Sequence, residues 1–220
     1  MGAVSRVRSA VTGRGDPSVE AHRAAAAAVN DLDVLAGLVR SCTACAELAA
    51  TRGSVVVGDL PPNARLLIVG EAPGASEDRT GHPFVGRSGQ LLDRLLSEAG
   101  LARTGVAVAN VLKCRPPGNR APRRGEARRC RPWLDRQVEL LDPPLVLGLG
   151  SAAAAELLGP GTRIASARGR VHEVGGRGVL VSYHPSAALR FGPGGEPARA
   201  LAADLVLTAN ELRRRHGGTL

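Results

Sequence analysis

Residues 64–86 read ARLLIVGEAPGASEDRTGHPFVG. The run LLIVG (66–70) is wholly apolar, the pattern of a strand buried on both faces of a parallel sheet. Glu71 breaks it at once. Between Gly70 and Gly86 the chain then crowds together two Pro, four Gly and Phe84. A plain surface turn needs none of this, so the loop is read as one shaped to hold a ligand.

The same alternation continues outward. VAVANV (106–111), LVLGLG (145–150) and GVLVSY (178–183) read as three further strands. Between them, SGQLLDRLLSEAGL (88–101), residues 124–141 and SAAAAELLG (151–159) have helical spacing, and PARALAADLVLTANELRRR (197–215) closes the chain as a helix. Strands alternating with helices imply a parallel sheet covered on both faces. The expected architecture is a three-layer α/β/α sandwich around a central four-stranded parallel sheet. Upstream, residues 1–28 read as a disordered basic lead-in, turning helical through AHRAAAAAVNDL, and 29–215 as a single domain. No internal repeat is visible.

Ligands of open parallel sheets bind beyond the carboxyl ends of the strands. The segments there are EAPG, NVLKCRPP, GSAAA and HPSAALR. Three of these four are polar and unusual, which points to one site. His184 ends the fourth strand, where an imidazole can donate to charge developing on a substrate oxygen. A structural, satisfied imidazole is the blander alternative. Ser186 adds a hydroxyl able to take a phosphate. Asn110 ends the second strand, and its amide offers the donors and acceptor that reading a pyrimidine edge requires; a turn cap is the alternative. Glu71 and Glu77 fit general bases, water positioners or turn formers. Phe84, on a loop with little core, can stack on a planar base.

Composition narrows the class of partner. Hydrophobic residues make up 44% of 220, enough for a core, but aromatics are only 2%, so Phe84, Trp133, Tyr183 and Phe191 are candidates for specific tasks. The net charge is +9 and nearly all basic residues are Arg, with Lys113 the single Lys. A GC-rich genome accounts for part of that. The clustering of Arg115, Arg120, Arg123, Arg124, Arg128, Arg129 and Arg131 points further, to phosphate neutralisation on a nucleic acid. No run approaches the ~18–20 apolar residues of a membrane span. MGAVSRVRSAVTGRGDPS lacks an apolar signal core. No membrane association is expected, and the expected location is the cytoplasm.

Structural disulfides are rare there, so four Cys need another reason. Cys42 and Cys45 form C-x2-C, Cys114 follows after 68 residues and Cys130 after 15 more. Four thiolates complete a ligand set for zinc or for a [4Fe–4S] cluster. The spacing is less like a zinc ribbon, which brings two close pairs. Either centre would pin the N-terminal segment and both feet of the Arg-rich stretch 115–129.

Together, GEAPGASEDRTGHPFVGRSGQLLDRLL, NVLKCRPPGNRAP, the four Cys, VLGLGSAAAAELLG and YHPSAALR resemble the iron–sulfur (family 4) uracil-DNA glycosylases, over about residues 35–212. The resemblance implies a [4Fe–4S] cluster on Cys42, Cys45, Cys114 and Cys130. It implies a uracil pocket of Gly70, Glu71, Ala72, Glu77, Phe84, Asn110 and His184, with Glu77 crowding the methyl of thymine. His184, Glu71 and Asn110 would be catalytic. Leu189 would enter the duplex as a wedge, with Arg190, Ser186, Arg115, Arg120, Arg123 and Arg124 at the DNA. A monomer acting on uracil in single- or double-stranded DNA is implied. A neighbouring branch traps the sugar covalently through a His in a KRRIH loop; residues 115–129 here contain no His, and the first motif is GEAPG rather than GEQPG. Better-known relatives place an Asp where this chain has Ala72. A non-enzymatic sensor of damaged DNA remains the second reading.

Overall fold

The computed structural model describes residues 16–215. The elements are α1 (Pro17–Ala27), α2 (Leu32–Arg40), α3 (Ala46–Thr51), β1 (Leu66–Gly70), α4 (Ala75–Thr80), α5 (Arg87–Glu98), β2 (Val106–Asn110), α6 (Arg124–Leu141), β3 (Leu145–Leu149), α7 (Ser151–Leu158), α8 (Ile164–Ala167), β4 (His172–Val174), β5 (Arg177–Ser182), α9 (Pro185–Phe191) and α10 (Glu196–Arg214).

The sheet runs in the order β2-β1-β3-β5-β4. β1, β2, β3 and β5 are parallel. Strand side chains alternate between faces, and the core divides accordingly. Leu66 and Ile68 meet Leu92, Leu96, Leu201 and Leu205 from α5 and α10. Leu67 and Val69 meet Leu134 and Ala153 from α6 and α7. Three layers result, because every residue of β1, β2 and β3 is buried.

Two expectations need correcting. The sheet has five strands, not four: β4 pairs antiparallel with β5 at the edge. Gly175 and Gly176, at φ +57° and +82°, make the two-residue hairpin turn that joins them. Only three residues long and largely exposed, β4 carries no apolar run to announce it. Secondly, the helix expected from residue 21 onward begins earlier and ends sooner, as Pro17–Ala27, so residues 17–20 are not a disordered lead-in. Asp16 caps it by accepting the Ser18 N–H at 3.1 Å, and Val19 and Ala26 are buried. Residues 1–15 of that lead-in lie outside the described residues. Among the described residues no helix is long and apolar enough to cross a membrane.

Candidate active site

Parallel register places Gly70 beside Asn110 at the carboxyl ends of β1 and β2. The ladder continues past them: Val111 N–H donates to Gly70 O at 2.9 Å and Leu112 N–H to Glu71 O at 3.0 Å. Both strand ends are therefore rigid where a cleft of about 510 Å³ opens. Glu71, Ala72, Glu77, Phe84, Asn110, His184, Ser186, Arg120 and Arg190 all line it.

Gly70 is small for a reason. A Cβ there would stand 2.4 Å from Asn110 Oδ1 and 2.6 Å from Phe84 Cζ. Phe84 has φ +56°, a left-handed conformation that is uncommon for a bulky residue and marks a constrained site. Helix α5 holds it there, since a Cβ on Gly89 would overlap the Phe84 carbonyl at 1.5 Å. The ring both packs into the core and faces the cleft. Its centroid lies 5.6 Å from that of His184, the planes tilted by 36°.

His184 follows β5 and caps α9. Its Nδ1 accepts the Ser186 N–H at 3.2 Å and lies 2.9 Å from the Ser186 hydroxyl. A backbone N–H can only donate, so Nδ1 is an acceptor and the ring proton sits on Nε2. Burial pushes the imidazole down to about 4, against a smaller upward pull from Glu77. The ring is thus a neutral donor at neutral pH.

The carboxylates divide. Burial pushes the half-buried Glu71 up from the usual carboxylate range, and no described residue hydrogen-bonds its carboxyl group. Glu77 is committed to the loop: Oε2 accepts Gly74 N–H at 3.1 Å and Oε1 accepts Gly86 N–H at 2.9 Å. One side chain therefore staples both ends of residues 74–86 while lining the cleft. Buried Asp78 accepts from the amides of Gly53 and Ser54, tying this loop to the segment after α3.

The arginines divide too. Arg120 grips Glu126 through two bonds of 2.9 and 2.6 Å and reaches Glu47 at 3.3 Å. Arg123 also pairs with Glu47, and Arg115 Nε donates to Asn119 Oδ1 at 2.7 Å. Arg124 and Arg190 are exposed and make no ion pair among the described residues. Leu189 is 40% exposed. The cleft rim adds Arg87, Ser88 and Asn119, which the sequence reading did not select; Arg87 and Ser88 sit in the RSG opening of α5.

All four Cys are free thiols, and all four line a second, much smaller cavity of about 20 Å³. Burial raises the thiols of Cys45 and Cys114 and pushes Cys130 up to about 12. Arg52 donates to Cys114 Sγ at 3.0 Å. His22 of α1 lies with Nε2 3.5 Å from Cys42 Sγ and stacks on Trp133 at 4.7 Å. The indole N–H of Trp133, which also lines the cavity, is buried without a partner among the described residues. Soft thiol donors, cationic neighbours and an unpaired donor fit an anionic thiolate-bound centre. Among the described residues no three His, Cys, Asp or Glu side chains form a group able to hold a single metal ion.

Residues 57–205 match the model of the uracil DNA glycosylase superfamily. The chain is similar to the type-4 uracil-DNA glycosylase of Thermotoga maritima, 41% identical over 72% of this chain and 83% of the relative. It is similar to that of Pyrobaculum aerophilum, 41% identical over 73% and 85%. A type-5 uracil-DNA glycosylase of Thermus thermophilus is 33% identical over 71% and 87%. With its fold, its cleft and these matches, the chain belongs to the uracil DNA glycosylase superfamily.

Proposed function

We propose that this chain flips uracil out of DNA and hydrolyses its N-glycosidic bond, leaving an abasic site for base excision repair. The observation that carries the reading is the convergence of Phe84 from the α4–α5 loop, Asn110 from the end of β2 and His184 from the cap of α9 on one cleft. A stacked base cannot react in the duplex, and extruding it costs on the order of a few kcal/mol. Stacking on Phe84, worth about 1–3 kcal/mol by analogy with other aromatic platforms, offsets much of that. Leu189 fills the gap left in the stack, and Arg190 and Arg124 contact phosphates. The Asn110 amide reads the pyrimidine edge.

As the C–N bond loosens, electrons flow to uracil and charge grows on its O2. Neutral His184 donates from Nε2 to that oxygen, an interaction worth roughly 3–4 kcal/mol in the barrier by comparison with other oxyanion donors. Water adds to the sugar carbon, and its proton balances the departing uracil anion. Glu71, free of other bonds, orients that water. Glu77 shapes the loop and stands where a 5-methyl group would intrude.

Cys42, Cys45, Cys114 and Cys130 hold a [4Fe–4S] cluster in this reading. When bound, it cross-links distant chain segments and takes no part in bond cleavage. Single-turnover excision from uracil-containing oligonucleotides tests the roles: His184→Ala is expected to lose more rate than Glu71→Ala, and equal or reversed losses overturn the assignment.

A further inference from the structure

We propose that Lys113 is a positioning residue that holds Asn110 in its base-reading place from the cysteine side of the sheet. The proposal rests on the reading of Asn110 given above.

Lys113 is the only lysine in a chain whose other basic residues are all arginine. It is 1% exposed, among the most deeply buried large side chains. Its Nζ donates to the Asn110 carbonyl at 2.9 Å and to Gln137 Oε1 at 2.6 Å. Gln137, fully buried on α6, donates in turn to Val57 O at 2.9 Å. The Lys113 carbonyl accepts Val56 N–H at 2.8 Å. One ammonium thus clamps the carboxyl end of β2 to α6 and to the strand-like segment before β1.

No carboxylate bonds this ammonium among the described residues, yet an isolated buried charge is costly. Two carbonyl oxygens, those of Asn110 and the Gln137 amide, hold it instead, and the residue also lines the cysteine cavity. The same side chain therefore faces the cysteines on one side and the base-reading residue on the other. Shape explains why lysine stands here. A flexible stem and a compact point donor reach two carbonyl oxygens in a space with no room for the larger planar fork of a guanidinium. The Asn110 side chain has little slack, because its Oδ1 already sits against Gly70. A shift of the Asn110 main chain moves that amide out of register with the base.

The test is a double-mutant cycle on the iron-loaded protein with Lys113→Met, Asn110→Ala and both together. Single-turnover excision, duplex binding and iron content with absorbance near 400 nm are measured on each. Lys113→Met is expected to keep its iron and bind DNA normally while excising ~100-fold more slowly, the scale of a small misplacement. The double variant is expected to be within about threefold of Asn110→Ala alone. Fully additive losses overturn the proposal, as does a rate loss that appears only together with loss of iron. If Asn110→Ala itself excises normally, the reading of the site fails, separately from the role of Lys113. Should Lys113→Met not fold, Gln137→Met removes one of the two bonds; a loss of ~10-fold that vanishes in the Asn110→Ala background supports the proposal, and an additive loss overturns it.

Discussion

The Phe84 ring lies so close over Gly70 that a single methyl group on the glycine would stand 2.6 Å from Cζ. Both sides are braced. Asn110 crowds Gly70 from the neighbouring strand, and Gly89 of α5 backs the Phe84 carbonyl. Gly70→Ala is expected to fold, since its φ does not lie in the left-handed region. It is also expected to excise uracil ~100-fold more slowly, because the ring or the amide must move by about an ångström. Single-turnover rates check this, and an unchanged rate means the ring does not stack on the base.

A second expectation concerns pH. His184 is held down to about 4 by burial, below its value of about 6.5 in an unfolded chain. As pH falls through 6.5 the unfolded chain takes up the proton first, so this group's contribution to stability is full above 6.5 and is lost progressively down to about 4. Catalytically, the neutral donor persists across that range. In Glu71→Gln, which removes the carboxyl group of the cleft that no described residue hydrogen-bonds, the excision rate is expected to stay level from pH 8 to pH 5. A limb centred near 6.5 contradicts the assignment of a neutral His184.

The cysteine cavity predicts a coloured protein. Wild-type protein is expected to absorb near 400 nm and to carry iron, and Cys114→Ser to lose both along with much of its thermal stability. The stability falls because three chain segments, around Cys42–Cys45, Cys114 and Cys130, lose their common anchor. Iron analysis, optical spectra and thermal unfolding check this together. A colourless wild-type protein containing zinc contradicts the cluster.

The arginines of the cleft are expected to behave differently from one another. Arg190→Ala weakens DNA binding and lowers the slope of log affinity against log salt by about one. Arg120→Ala leaves that slope nearly unchanged and destabilises the fold by about 1–3 kcal/mol, since buried Glu126 loses its ion pair and keeps the Arg123 N–H bond. Salt titrations and unfolding curves separate the two. A full unit lost from the slope in Arg120→Ala shows that Arg120 leaves Glu126 to bind phosphate.

Much of this arrangement was legible in the chain. Short apolar runs mark β1, β2, β3 and β5 because buried parallel strands need no alternation, and strand ends place EAPG, Asn110 and His184 along one edge. What escaped was long-range or unpatterned. The pairing of Arg120 with Glu47, 73 positions earlier, is a long-range contact that no local pattern shows. The bonds from the amides of Gly74 and Gly86 to the Glu77 carboxylate have no pattern in the sequence to announce them. His22 had no distinguishing context in sequence, yet α1 brings it to Cys42 and Trp133. Lys113 stood out only by being alone of its kind; its buried bond to Gln137, 24 positions on, comes from tertiary packing.

The central claim is excision. The most direct measurement incubates the protein with a duplex carrying one uracil, then treats the product with alkali and measures strand breakage at that position. The expected result is breakage at the uracil, absent from a thymine control and ~100-fold or more slower with His184→Ala. Tight, uracil-dependent binding with the strand left intact contradicts the account and makes the protein a sensor of damaged DNA.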